Sequence, residues 1–175
     1  MSRPRAVSVI GPGRATGWQE AAGHETGAGL ARAGLLVVTG GLGGVMQAAC
    51  RGASEAGGQT LCLLPGADAS EANPWCQVVV PTGLGEARNA LVVRAAEAVV
   101  AIGGAWGTLS EIALALRAGI PVFGIETWEL RAAPGSLGPG QHEIQRVPDP
   151  AAAVAAVAHH LNGDGSHRAD GAARA

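Results

Sequence analysis

The stretch AVVAIGGAWGTLSEI, residues 98–112, passes from an apolar run through a glycine-rich turn into a helix-like segment. The apolar run is continuous rather than alternating, which is typical of a parallel strand covered on both faces. Glycines between a strand and a helix mark the tight turn of a strand–helix unit. The stretch therefore predicts one unit of a parallel α/β fold, and it places a single acid, Glu111, near the start of the helix.

The same alternation of segments extends over most of the chain. Besides 98–104, five short apolar runs are strand-like: AVSVIG (6–11), LLVVTG (35–40), TLCLLPG (60–66), QVVVPTG (77–83) and PVFGIE (121–126). Helix-like segments cover about 18–33, 45–56, 86–97, 108–118 and 150–161. This order predicts a doubly wound, mainly parallel sheet with helices on both faces, a Rossmann-like α/β fold that binds ligands at the carboxyl ends of its strands.

The length of the chain, 175 residues, fits one domain. We assign residues 1–161 to it, because the following segment NGDGSHRADGAARA (162–175) is small, polar and glycine-bearing, as in a disordered tail. The segment APGSLGPGQ (133–141) is rich in glycine and proline, which favours a plain surface loop, with a mobile flap over the ligand as the alternative.

Composition excludes several partners. Hydrophobic residues make up 47% of the chain and charged residues 15%, yet no apolar run is long enough to cross a bilayer. The start, MSRPRAVSVIG (1–11), lacks the pattern of a secretory signal, so a soluble cytoplasmic protein is expected. The net charge is −2 and the basic residues are scattered, which favours neither a nucleic-acid nor a membrane partner.

Two residue types restrict the chemistry. All 12 basic residues are arginine, so no lysine exists to form a Schiff base; pyridoxal phosphate is excluded, and no other cofactor is required. The cysteines Cys50, Cys62 and Cys76 are odd in number, widely spaced and set among apolar neighbours. This pattern predicts buried, reduced thiols rather than a disulfide or a metal site.

Four glycine-bearing turns follow strand-like runs, at 11–17, 40–46, 81–89 and 103–108. Each glycine alone is explained by turn geometry, but four such turns at one sheet edge favour a phosphate-bearing ligand, because backbone N–H groups and helix N-termini attract phosphate. An NAD site is disfavoured, since GPGRATG breaks the G-x-G-x-x-G spacing. The predicted ligand-binding residues are Gly11, Gly13, Gly40, Gly41, Gly44, Gly103, Gly104, Trp106, Gly107 and Thr108.

Two of these positions have competing interpretations. Trp106 stacks on a base of the ligand, or it packs against the sheet or a partner subunit. If Thr108 is the N-cap, Glu111 lies at the third helical position, and T-L-S-E is a capping box. These residues alone leave cap and catalyst equally open for Glu111.

A longer pattern, GEARNALVVRAAEAVVAIGGAWGTLSE (85–111), resembles the core signature of the Lonely Guy (LOG) family, cytokinin-activating phosphoribohydrolases once misnamed lysine decarboxylases. In that signature an R-K pair precedes P-G-G-x-G-T-x-x-E. Arg88 takes the position of the family's catalytic arginine, Arg94 that of a second arginine, and Glu111 that of the catalytic glutamate. The likeness extends more loosely from about residue 6 to 160, and it implies the same LOG-type Rossmann fold.

Three positions depart from the family pattern. Gly103 replaces the proline, Ala105 the second glycine, and Asn89 the lysine after the catalytic arginine. With these changes the chain resembles a bacterial side branch of the family. A relative of that branch is the molybdenum-cofactor carrier proteins, which bind a phosphate-bearing cofactor without transforming it.

The resemblance implies a nucleoside 5′-monophosphate phosphoribohydrolase that releases free base and ribose 5-phosphate. Glu111 would stabilise the charge that develops on the sugar or deprotonate the attacking water, while Arg88 would orient that carboxylate or hold the phosphate. The alternative is a non-enzymatic carrier of a nucleotide or of molybdenum cofactor. The resemblance and the apolar, alanine-rich helix 86–98 also imply a homodimer or a higher homo-oligomer that buries this helix, with a site that is either complete in one chain or completed by the partner.

Overall fold

The computed structural model describes residues 4–131 and 143–171, with side chains as far as residue 163. Its centre is a parallel sheet of seven strands in the spatial order β4-β3-β2-β1-β5-β6-β7. The strands are β1 (Ala6–Ile10), β2 (Leu36–Thr39), β3 (Thr60–Leu64), β4 (Val78–Pro81), β5 (Ala98–Ile102), β6 (Val122–Ile125) and β7 (Gln145–Arg146). The doubly wound α/β fold predicted from the sequence is confirmed.

Helices cover both faces of the sheet. They are α1 (Gly17–Arg32), α2 (Val45–Glu55), α3 (Asn89–Arg94), α4 (Trp106–Arg117) and α5 (Pro150–Gly171), and a short 3-10 turn, Gly85–Arg88, leads into α3. Apolar residues of α1, α2 and α5 form one core with the sheet, and those of α3 and α4 form a second core on the opposite face. The strand order reverses between β1 and β5, which is the topological switch point where such sheets bind ligands.

Helices α1 and α2 cross at unusually short range. A Cβ atom placed on Gly27 would overlap the carbonyl oxygen of Ala49, and one placed on Gly52 would overlap the carbonyl oxygen of His24. Each glycine therefore allows one backbone to lie directly on the other. This crossing holds α2, and with it the turn that precedes α2, against the rest of the domain.

Gly27→Ala should therefore lower the free energy of unfolding by about 2–3 kcal/mol, because the added methyl group overpacks a backbone contact. Urea denaturation measures the change. Gly17→Ala is the matched control, since nothing lies within 4 Å of a Cβ at that position and alanine favours a helix. Equal stability of the two variants would contradict the close crossing.

Some boundaries differ from those predicted. The two-residue strand β7 is additional, and α5 continues to Gly171 rather than ending near 161. The proposed tail thus begins as helix, while residues 172–175 lie outside the described residues, as does the loop 133–141. Among the described residues, no helix combines the length and apolar character needed to cross a membrane.

The cysteine prediction is wrong. Cys62 on β3 and Cys76, just before β4, form a disulfide with a Cα–Cα distance of 5.9 Å, and only Cys50 is a free, buried thiol. The bend before β4 explains the error: the Thr60 hydroxyl donates to the Trp75 carbonyl and accepts from the Gln77 N–H, so the segment around Cys76 lies against β3. A separation of 14 residues in sequence thus becomes a lateral contact.

Candidate functional site

A cavity of about 330 Å³ opens at the switch point, at the carboxyl ends of the strands. Its size lies at the lower end of the range for small-molecule sites, about 300–1,000 Å³. The segments that follow β1, β2, β3, β4 and β5 all contribute to its wall. The lining residues are Gly11, Pro12, Gly13, Leu42, Met46, Pro65, Gly85, Glu86, Arg88, Asn89, Ala105, Gly107, Thr108 and Glu111.

Arg88 ends the 3-10 turn before α3 and is only 7% exposed. Its guanidinium lies against Gly40, where a Cβ atom would overlap Nη1, so the absence of a side chain at residue 40 makes room for the arginine. Nε and Nη1 are buried and make no hydrogen bond. Burial lowers the pKa of Arg88, and the Glu111 charge partly opposes that shift. Two donors of a buried cation therefore remain without acceptors in the cavity wall.

Glu111 lies on the first half of α4 and is 7% exposed. Its Oε1 is 3.9 Å from Nη1 of Arg88, which is within ion-pair range but too long for a hydrogen bond. Burial raises the pKa of Glu111 to about 7, and Arg88 offsets only part of this effect. Near neutral pH the carboxyl is thus divided between its neutral and ionised forms.

The capping-box interpretation of Glu111 is wrong. Helix α4 begins at Trp106 with Ala105 as its N-cap, three residues before the N-cap Thr108 that the T-L-S-E pattern indicates. Thr108 is therefore inside the helix, and its buried Oγ1 has no hydrogen-bond partner. Glu111 therefore does not cap the helix, and its side chain lines the cavity instead.

The predicted ligand-binding residues divide into two groups. The first group lines the cavity together with Arg88 and Glu111, and it consists of Gly11, Gly13, Gly107 and Thr108. Gly40 does not line the cavity but packs against the guanidinium of Arg88. The others lie outside the lining. They are Gly41, Gly44, Gly103, Gly104 and Trp106.

Several of the outer positions have clear structural tasks. Gly44 adopts a φ of 61° and packs on the backbone carbonyl of Pro12, so it joins the turn before α2 to the turn after β1. Gly104 lies against the indole of Trp128. Trp106 is 78% exposed, and its ring centroid is 5.3 Å from that of Trp128. The tryptophan pair thus lies beside the cavity residues Ala105 and Gly107, without lining the cavity itself.

Sequence reasoning missed Glu86, Asn89 and the apolar wall formed by Leu42, Met46 and Pro65. Asn89 donates a hydrogen bond from Nδ2 to Ser110 Oγ at 2.9 Å, and that hydroxyl donates to the Gly107 carbonyl at 2.7 Å. Asn89 therefore ties the start of α3 to the first turn of α4. Because Asn89 directly follows Arg88 in the family signature, its position in the sequence could have predicted that it lies at the site.

Glu111 should make stability depend on pH. A carboxyl with a higher pKa in the folded state binds more protons when folded, so the free energy of unfolding falls as pH rises between the unfolded and folded pKa values. For Glu111 that window runs from its ordinary 4.5 to about 7. Across this pH window, we expect the free energy of unfolding of the wild type to fall by up to about 3 kcal/mol more than that of Glu111→Gln. Urea unfolding of both proteins at about pH 4.5 and pH 8 tests this, and parallel pH profiles would contradict it.

The fold and the cavity define the class: a Rossmann-like α/β protein with a ligand-sized cavity at its topological switch point, where an arginine and a glutamate are buried together. The model of the SLOG cluster4 family matches residues 4–154. The chain belongs to this LOG-like family, which confirms the resemblance found in the sequence.

Solved structures of two named proteins are close. The molybdenum cofactor binding protein of the phototrophic bacterium Rippkaea orientalis superposes with a TM-score of 0.82 at 29% identity, over 92% of this chain and 99% of that one. The molybdenum cofactor carrier protein of Chlamydomonas reinhardtii superposes with a TM-score of 0.80 at 33% identity, over the same shares of both chains. An uncharacterized protein of Archaeoglobus fulgidus is 35% identical over 65% of this chain and 74% of its own length.

Proposed function

We propose that this protein binds a phosphate-bearing small molecule of the molybdenum-cofactor or nucleotide class and that its role is that of a carrier. The observation that supports this most directly is Arg88, a buried guanidinium with two donors unsatisfied in the wall of a ligand-sized cavity. Buried charged donors are seldom left without acceptors in native proteins, and phosphate fits a guanidinium fork. A bound phosphate would supply the missing acceptors.

The other lining residues of the cavity fit a phosphate group that is attached to a larger organic molecule. The buried hydroxyl of Thr108 lacks a partner, and the first N–H groups of α4 have no acceptor within the helix. Glu111 does not repel phosphate while it is protonated, and its pKa of about 7 makes that form accessible. Leu42, Met46 and Pro65 offer apolar surface to the remainder of the ligand.

The carrier role is favoured over turnover by the similar proteins, which are named for binding and carrying molybdenum cofactor. The residues that depart from the LOG signature point in the same direction. Asn89 replaces a lysine, so Arg88 is the only cation among the residues described as lining the cavity, beside the acids Glu86 and Glu111. With less positive charge than the hydrolase signature supplies, the cavity suits reversible retention of an anion.

The test is to identify what the native protein retains. Mass spectrometry of ligands released from freshly purified protein should detect a molybdopterin-type or nucleotide compound at a substantial fraction of one per chain. Addition of that compound to stripped protein should raise the melting temperature, because a ligand that binds only the folded state stabilises it. If no compound is retained and none from either class stabilises the protein, the proposal fails.

Phosphoribohydrolysis is the second candidate, because one observation favours it. A carboxyl with a pKa of about 7 beside an arginine is poised for proton transfer at neutral pH, as general acid–base catalysis requires. Release of free base from nucleoside monophosphates would support this candidate over the carrier.

We also propose that the protein is a homodimer that buries the surface of α3. Leu91 of this helix is 41% exposed, which leaves apolar area for a partner. Light scattering at micromolar concentration should give twice the mass of the chain, and a monomer would contradict the proposal.

A further inference from the structure

Three sulfur atoms converge behind the glycine turn that follows β2. The Sγ atoms of Cys50, Cys62 and Cys76 all lie within 4.8 Å of one another, and Cys50 Sγ is 3.6 Å from Cys62 Sγ. Cys50 and Cys62 are fully buried, whereas Cys76 is partly exposed. A disulfide accounts for two of these sulfurs, but it does not account for the third.

Polar groups surround the sulfurs. Thr39 Oγ1 is 3.3 Å from Cys50 Sγ and 3.6 Å from Cys62 Sγ, and the hydrogen-bonding of Asn73 lowers the pKa of Cys50 against the larger effect of burial. An inert core cysteine has apolar neighbours, whereas these hydroxyl and amide groups are suited to orient thiolates. Three sulfurs bound to one metal ion at about 2.3 Å lie roughly 4 Å apart, which is close to the present separation of Cys50 and Cys62.

We propose that the reduced protein binds one thiophilic metal ion, Cu⁺ or Zn²⁺, through Cys50, Cys62 and Cys76. Thiolates select these two ions among the common biological metals. Formation of the site needs two electrons: two molecules of a thiol reductant become one disulfide, and the Cys62–Cys76 bond becomes two thiols. The ion then displaces one proton from each of the three thiols, and the partly exposed Cys76 provides access from solvent.

The site is connected to the ligand cavity. Asn73, three residues before Cys76, donates from Nδ2 to the carbonyls of Gly41 and Leu42, and its backbone N–H donates to Gly41 as well. Leu42 lines the cavity, and the neighbouring Gly40 supports Arg88. A bound metal would therefore hold the turn that supports the cavity wall, as the disulfide does in the oxidised protein.

The experiment is a metal titration of the full chain, reduced with a phosphine and handled without oxygen. Cu⁺ and Zn²⁺ are each added in competition with a chromophoric chelator. We expect the wild type to bind one ion per chain, with thiolate-to-metal absorption in the ultraviolet. Cys50→Ser should bind the ion with an affinity that is lower by roughly a hundredfold or more.

Two controls make the result decisive. His24→Gln removes the surface ion pair between His24 on α1 and Glu55 on α2, another pair of metal-ligand types, and should leave the affinity unchanged. Protein with the disulfide intact should not bind. If Cys50→Ser fails to fold, Cys76→Ser replaces it, and X-ray absorption of the wild-type complex should count three sulfurs. The proposal is overturned by no binding in the reduced chain, by equal binding to the disulfide form, or by fewer than three sulfurs around the ion.

Discussion

Arg88→Ala is expected to weaken binding of the proposed phosphate-bearing ligand by roughly a hundredfold or more. The substitution removes Nε and Nη1, the two buried donors that lack partners in the free protein. A hydrogen bond to a charged group contributes about 1.5–3 kcal/mol, so the loss of two such bonds exceeds two orders of magnitude in affinity. Calorimetric titration of stripped protein with the identified ligand measures the change.

Arg94→Ala is the matched control for this prediction. Arg94 occupies the second arginine position of the family signature, yet it is exposed at the end of α3 and does not line the cavity. Its removal should change affinity less than about threefold, since an exposed charge contributes little. If the two variants bind alike, Arg88 does not hold the phosphate and the anion site lies elsewhere in the cavity.

The continuous apolar runs of the sequence predict most of the strands of the sheet. The six longer strands lie within the predicted segments. For five of them the reason is burial on both faces, which requires apolar residues throughout. The edge strand β4 is largely exposed, and its run of β-branched residues made it visible in the sequence. The two-residue strand β7 has no such signature: Gln145 and Arg146 are exposed, and their pairing with Phe123 and Gly124 depends on tertiary contact alone. The start of α4 was misplaced because Ala105 offers no capping side chain.

The site was predictable where a motif fixes spacing. Arg88 and Glu111 are 23 residues apart, and only the family resemblance indicated that their side chains meet; the ion-pair distance of 3.9 Å agrees with it. The outer glycines show the limit of that reasoning. Gly103 and Gly44 both adopt positive φ and shape turns, while the lining is supplied by other residues. Composition identifies a glycine turn, but it does not show which way the backbone N–H groups point.

Glu111→Gln separates the two functions because they predict opposite changes. In a carrier, the ligand's phosphate on Arg88 lies near Glu111, so binding favours the protonated carboxyl. With a pKa of about 7, roughly a tenth of Glu111 is protonated at pH 8, which lowers the apparent affinity of the wild type about tenfold. Glutamine is neutral at every pH, so the variant should bind about tenfold more tightly than the wild type at pH 8 and nearly equally at pH 5.

In a hydrolase, the same substitution removes the group that stabilises the sugar cation or activates water. Release of free base from a panel of nucleoside monophosphates should then fall by roughly a hundredfold or more, with little change in affinity. Glu86→Gln is the control, because Glu86 is the other acid in the lining and is assigned no catalytic task. Base release by the wild type that is lost only in Glu111→Gln would overturn the carrier role. If the wild type releases no base and the variant binds the ligand more tightly at pH 8, the carrier role is supported. Protonation of Glu111 then controls how tightly the ligand is bound.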